Sequence, residues 1–187
     1  MKKVGFNSQM LDELSSMIGK TLKEIKYDAT ADSIAGFGNI ALLVDNQILE
    51  ISNREDMEGF DEDYESSHFT CRYVDKFIPV VNKIDVKIMP INEVVKDINI
   101  INDLIDVDSQ DYHIDYDMAI EIVTDQHKYV ISRGYYYSEI ITISVDKEMD
   151  EIYPMSQVIE DWQDDDTPLE VKVNRINKNI KERRNLS

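Results

Sequence analysis

The sequence predicts a β-rich α+β fold: antiparallel sheets from two pseudo-repeats packed together, with an N-terminal helix and a short second helix. Three observations carry this. Apolar residues alternate with polar ones through most of the chain, most clearly in Lys83-Ile84-Asp85-Val86-Lys87-Ile88. That pattern puts Ile84, Val86 and Ile88 on one buried side of a strand and charge on the other. Helical spacing occurs in only two stretches, and the order of the elements repeats along the chain.

The first helix is expected over residues 8–18, where Met10, Leu11, Leu14, Met17 and Ile18 share one face. Ser8 is the expected N-cap, Asp12 and Glu13 lie in the first turns, and Gly19 ends the helix. Strands are then expected at Thr21–Tyr27, Ile40–Val44, Ile48–Ser52, His68–Val74, Val80–Met89, Val94–Ile101, Met118–Thr124, Lys128–Arg133, Glu139–Val145 and Leu169–Asn174. Pro79 and Pro90 bracket one of these, bending it or marking a sheet edge. The second helix is expected at Met155–Gln163, where Met155, Val158, Ile159 and Trp162 share a face after Pro154.

Ile40–Asn53 aligns with Met118–Arg133 if two single-residue insertions are allowed, and each reads as a hairpin. Upstream, Thr21–Tyr27 sits over Val94–Ile100; downstream, His68–Asp75 matches Glu139–Asp146. The expected organisation is a single domain over 1–187. Pseudo-repeat one spans about 8–89, pseudo-repeat two about 90–171, and a basic C-terminal tail 172–187. Units this small hold too little core alone, so they are expected to pack on each other.

The chain of 187 residues carries a formal net charge of −18, yet 42% of it is hydrophobic, enough for a packed interior. From Lys172 onward there are six bases (Lys172, Arg175, Lys178, Lys181, Arg183, Arg184) and one acid, Glu182. Of the 38 acids and 20 bases in the chain, the rest therefore holds 37 acids against 14 bases, a net of −23. Such a body repels nucleic acid and anionic membranes and steers basic proteins toward itself. Apolar runs such as Ile40–Val44 and Ile140–Ile143 fall far short of the roughly 20 residues that span a bilayer. The first ten residues lack a secretory pattern, and Cys71 is alone, so a cytoplasmic protein without a disulfide framework or cysteine-rich zinc site is expected.

Three acidic clusters fall outside the expected strands. Asp56, Glu58, Asp61, Glu62, Asp63, Tyr64 and Glu65 follow the first hairpin. Asp106, Asp108, Asp111, Asp115 and Asp117, interleaved with Tyr112 and Tyr116, precede the second. Asp164, Asp165 and Asp166 follow the second helix. Carboxylates beside tyrosines suit a basic protein surface, because acids pair with Arg or Lys while tyrosine adds rigid contact area. These residues are the candidate partner-binding set. A solvated coat that maintains solubility is the plain alternative, but this much like charge also strains the fold by self-repulsion.

Patterns for catalysis and cofactors fail individually. Asp106-Val107-Asp108-Ser109-Gln110-Asp111 resembles the start of a calcium loop, but it lacks the glycine at the sixth position and the bidentate glutamate at the twelfth. Gly19-Lys20-Thr21 resembles the end of a phosphate loop, with Leu14 where a glycine is required. Gly36-Phe37-Gly38 lacks the rest of a dinucleotide fingerprint and reads as a turn. His68, His113 and His127 have no metal-ligand spacing, and His68 and Cys71 point to opposite faces of one strand. Tyr135-Tyr136-Tyr137 reads as a strand edge with alternate rings buried, since base stacking needs a basic groove. No catalytic residue, metal or cofactor is assigned.

The sequence thus points to a non-enzymatic acidic binding protein, a stoichiometric inhibitor of a basic nucleic-acid-handling enzyme. Bacterial immunity proteins against nuclease toxins and phage DNA mimics (anti-restriction or anti-CRISPR proteins) are similar in type: small, acidic and without a catalytic motif. The expected partner is a basic protein, a nuclease or another nucleic-acid-binding enzyme, with no direct nucleic-acid or membrane binding. Two other readings stand beside it. One is a divalent-metal-dependent enzyme or small-molecule binder using clustered carboxylates; the other is an assembly or scaffold protein.

Overall fold

Alternation prevails over helical spacing through nearly the whole chain, and the strands it forms pair into one 11-stranded sheet. The structure, a computed structural model, describes residues 2–28, 35–55, 67–80, 86–107, 112–134, 138–163 and 170–184. The chain runs β1 (Lys2–Val4), α1 (Ser8–Ser15), β2 (Thr21–Asp28), β3 (Ala35–Phe37), β4 (Asn39–Val44), β5 (Gln47–Glu55), β6 (Ser67–Val74) and β7 (Val86–Val107). It continues with β8 (Tyr112–Thr124), β9 (Lys128–Arg133), β10 (Ile140–Val145), α2 (Met149–Ile152), α3 (Met155–Asp161), β11 (Val171–Asn179) and α4 (Ile180–Arg184).

The strand order is β3-β10-β9-β8-β7-β2-β4-β5-β6, with β1 beside β8 and β11 beside β7. β2, β4, β5 and β6 form one antiparallel meander and β7, β8, β9 and β10 another; they meet where β2 pairs with β7. The sheet curls so that the far strands come together. β3 pairs with β10 but passes directly into β4 through Gly38, whose φ of 77° is a conformation that favours glycine. The enclosed apolar cluster therefore joins Leu42, Ile51 and Phe69 of the first meander to Ile98, Ile120, Ile131 and Ile141 of the second. Leu11 and Leu14 of α1 and Ile180 of α4 complete it. A second cluster, with Ile105, Ile114, Tyr116 and Met118, is shared with Met149, Tyr153 and Val158 of α2, α3 and the link between them.

Several expectations are corrected. The cap of α1 is Asn7 rather than Ser8: its side chain accepts the Met10 N–H at 2.9 Å. Val80–Met89 and Val94–Ile101 do not form two strands, because Val86–Val107 is one strand of 22 residues. Pro90 lies inside it opposite Glu24, beside a register shift and Asn92 at φ 65°, a bulge that accommodates the missing N–H. Val86 and Ile88, expected in the core, are 40% and 54% exposed. Alternation tells which side chains share a face of a strand, not whether that face is covered; Ile84 lies outside the described residues. Lys172, Arg175 and Lys178, expected in a tail, belong to β11, which pairs with β7 from Val171↔Val107 to Asn179↔Asn99. The strand expected at Leu169–Asn174 thus runs on to Asn179, and the asparagines that break its alternation conceal the continuation. β1, β3, α2 and α4 were not anticipated; each is five residues or shorter and has little room for a period.

Candidate partner-binding surface

The candidate residues divide sharply. Asp56, Glu58, Asp61, Glu62, Asp63, Tyr64, Glu65, Asp108, Asp111, Asp164, Asp165 and Asp166 lie outside the described residues, as do Tyr135, Tyr136 and Tyr137. Asp106 and Tyr112 are in strands, and Asp106 pairs with His113 (2.5 Å) across the β7–β8 ladder. Asp115, Tyr116 and Asp117 are not on a loop but buried inside β8, at 9%, 1% and 0% exposure. Their acids alternate with Ile114, Tyr116 and Met118, a period of two that extends the strand well before Met118.

Burial of these acids is made tolerable by donors. Asn102 Nδ2 donates to Asp115 Oδ1 at 2.5 Å and to Asp117 Oδ1 at 2.9 Å, and the Phe6 N–H donates to Asp117 Oδ2 at 2.9 Å. Asp103, fully buried, is held by Arg175 through two parallel bonds of 2.8 Å, and Arg175 also reaches Asp150 at 2.7 Å. Asp103, Asp115 and Asp117 are buried, and their hydrogen bonds tie β7 and β8 to Phe6 and to β11.

The two ends of the curled sheet differ in construction. At one end the connections are tight and their aspartates fold back on the backbone. Asp45 accepts the Thr21 N–H at 3.1 Å and returns its own N–H to the Thr21 carbonyl at 2.8 Å. Asp125 does the same with Val94, at 3.0 Å both ways, and Asp146 with Lys128, at 2.9 and 2.8 Å. Asp45 and Asp146 have φ of 51° and 56°, positions where a short polar side chain is favoured.

At the other end the flanks of the acidic stretches gather. Glu55 and Ser67, which bound 56–66, are register partners at the end of the β5–β6 ladder. The Ser67 carbonyl accepts from Tyr116 OH at 2.7 Å and from Arg133 Nη1. Ser138, which follows 135–137, accepts on its carbonyl from Asn53 Nδ2 (2.6 Å) and Ser67 Oγ (3.1 Å). Val107 and Tyr112, the flanks of 108–111, lie beyond Tyr116 along the same strands, and Val171, soon after 164–166, is the register partner of Val107. The node of this end is Arg133, 1% exposed, its guanidinium 4.1 Å from the Tyr116 ring centroid and 4.6 Å from that of Phe69. A planar cation between two rings suits arginine and not lysine. Burial pushes the Tyr116 hydroxyl pKa up, so it stays a donor.

Sequence reasoning missed a second network, at the tight-turn end. Glu93, 4% exposed, accepts from Thr124 Oγ1 at 2.5 Å, His127 Nδ1 at 2.7 Å and Tyr129 OH at 3.1 Å. Burial pushes the Glu93 carboxyl up, but these three bonds outweigh it and hold it below the usual glutamate value. His127 is raised, chiefly by its bond to Glu93. Isolated residues from three elements leave no spacing to recognise, and only the fold brings them together. Cys71 is buried, its thiol donating to the Met10 carbonyl at 3.3 Å, and burial raises its pKa.

Among the described residues no group of three or more His, Cys, Asp and Glu could hold a metal ion. A pocket of about 290 Å³ beside α2 is lined by Glu148, Asp150 and Arg175 among others, but Lys128 already binds Glu148 and Arg175 binds Asp150. No described helix is long and apolar enough to cross a membrane. The chain matches no protein-family model, no curated protein and no solved structure.

Proposed function

We propose that the protein is a non-enzymatic acidic binding protein that inhibits a basic nucleic-acid-handling enzyme stoichiometrically, in the manner of an immunity protein or a phage DNA mimic. The observation that carries the reading is the gathering of flanks at one end. The aspartates of the tight-turn end are occupied by backbone amides, and the buried Asp103, Asp115 and Asp117 of β7 and β8 by Arg175, Asn102 and Phe6. Glu55, Ser67, Val107, Tyr112 and Val171, the described residues that bound or follow the sequence stretches 56–66, 108–111 and 164–166 with their eleven acids and no base, are at the opposite end. Charge delivered from one end of a curled sheet, with Arg133 fixing the base of that end, suits a surface that occupies a cationic cleft.

The test is binding to basic nucleases at low and high salt, with Asp61, Glu62, Asp63 and Glu65 replaced together by Asn or Gln. Slower association in salt and weaker binding by the variant are expected. Unchanged affinity would remove this stretch from the account, and a partner with no nucleic-acid role would sink the inhibitor reading.

We infer also that the two meanders are pseudo-repeats. In support, the aligned positions Thr21 and Val94 carry the same reciprocal bonds to the aligned Asp45 and Asp125. Exchanging Asp45-Asn46 for Asp125-Gln126-His127 should leave a folded protein if the turns are equivalent; loss of cooperative unfolding would count against it.

A further inference from the structure

We propose that His127 is a proton-operated latch: with both ring nitrogens protonated it ties Glu93 of β7 to Asp146 beyond β10, and with one proton it lets Asp146 go. The geometry dictates this. Nδ1 lies 2.7 Å from Glu93 Oε1, an oxygen that also accepts from Tyr129 OH and belongs to a carboxylate, so Nδ1 is the donor. Nε2 faces Asp146 Oδ2 at 4.0 Å, too long for a direct hydrogen bond but close enough for attraction between charges. A neutral ring that keeps its proton on Nδ1 turns a lone pair toward Asp146 and has nothing to offer it.

The surroundings favour the charged ring. Glu93 faces it from β7 and Asp146 from the end of β10, Tyr129 of β9 contributes a ring edge, and the exposed Asp125 stands in the same turn. The nearby cation, Lys128, is turned to Glu121 and Glu148 instead. The His127 side chain is 43% exposed, so bulk protons reach it. Asp146 is the device's output. Its Oδ1 caps the Lys128 N–H and its N–H caps the Lys128 carbonyl, and three residues later the chain enters α2, whose Asp150 holds Arg175.

Hydrogen exchange of the full chain between pH 5.5 and 8.5, corrected for intrinsic rates, tests the latch. Protection of the Lys128 and Asp146 amides should fall as the ring loses its second proton, by about tenfold for each pH unit by which Asp146→Asn lowers the ring's pKa. The Thr21 and Asp45 amides, in the same geometry without a histidine, should not follow. His127→Gln can still donate to Glu93 but cannot charge, and should abolish the pH dependence. If that variant does not fold, Asp146→Asn keeps the turn acceptor and should lower the ring's pKa, read from its proton shifts. Protection that is level across the range, pH dependence persisting in His127→Gln, or an unmoved ring pKa in Asp146→Asn would each overturn the proposal.

Discussion

Thr21 and Val94 are register partners where the two meanders meet, and each exchanges a reciprocal pair of hydrogen bonds with an aspartate, Thr21 with Asp45 and Val94 with Asp125. The two aspartates differ in backbone. Asp45 has φ 51°, whereas Asp125 is not among the residues with positive φ. Asp125→Ala removes an acceptor and should cost about 1 kcal/mol. Asp45→Ala removes the same acceptor and also the short polar side chain that makes the left-handed backbone tolerable, for about 2 kcal/mol in all. Urea unfolding of both variants measures this, and equal losses would refute the backbone part.

The corner that joins the sheet's far strands depends on Gly36. A Cβ there would lie 2.7 Å from the Asn39 carbonyl oxygen and 2.7 Å from Ile40 Cγ2, both in the fixed interior. Gly36→Ala should therefore destabilise by about 2 to 3 kcal/mol, through overpacking. Gly19 makes the control: nothing lies within 4 Å of its Cβ position, and only its φ of 84° resists substitution. Gly19→Ala should cost about 1 kcal/mol. Thermal unfolding that ranks the two in the reverse order would show that the corner yields.

Much of the sheet is legible in the sequence because it rests on local alternation. Lys128–Arg133 and the hairpin at Val44-Asp45-Asn46-Gln47 are written in a few adjacent residues. What is not legible depends on partners far along the chain. Asp117 looks like a surface acid until Phe6 and Asn102 are brought to it, and Val86 looks like core because its strand alternates. Arg175 reads as tail charge until Asp103 claims it across 72 residues. The candidate surface was legible only as composition. That its flanks share one end follows from the curl of the sheet, which no local pattern encodes.

That arginine gives a direct test of the C-terminal strand. Asp103 is fully buried and the Arg175 side chain is 8% exposed, so removing one partner leaves the other charge in a poorly solvated site. Asp103→Ala should cost about 3 to 5 kcal/mol. Asp103→Ala combined with Arg175→Met should cost less than Asp103→Ala alone, because no buried cation is then left without its main counter-charge. Faster hydrogen exchange in 171–179 of the single variant should accompany the loss. A strictly additive double variant would mean that the pair is solvated and β11 is held by its backbone bonds alone.

Interior and candidate surface acids should separate in a paired experiment. Both Asp117 carboxylate oxygens accept hydrogen bonds, from Asn102 Nδ2 and from the Phe6 N–H. A side-chain amide at this position would present an N–H to one of those donors, so Asp117→Asn should destabilise by about 1 to 3 kcal/mol. The affinity of the folded fraction for a basic partner should stay the same, since Asp117 is 0% exposed. Neutralising Asp61, Glu62, Asp63 and Glu65 should do the opposite: weaken the partner and leave stability level or raised, because like charge is removed. Denaturation curves and binding isotherms on the same samples distinguish the two sets. If Asp117→Asn weakened binding without loss of stability, the acids of β8 would face the partner after all, and the division between structural and recognition carboxylates would be wrong.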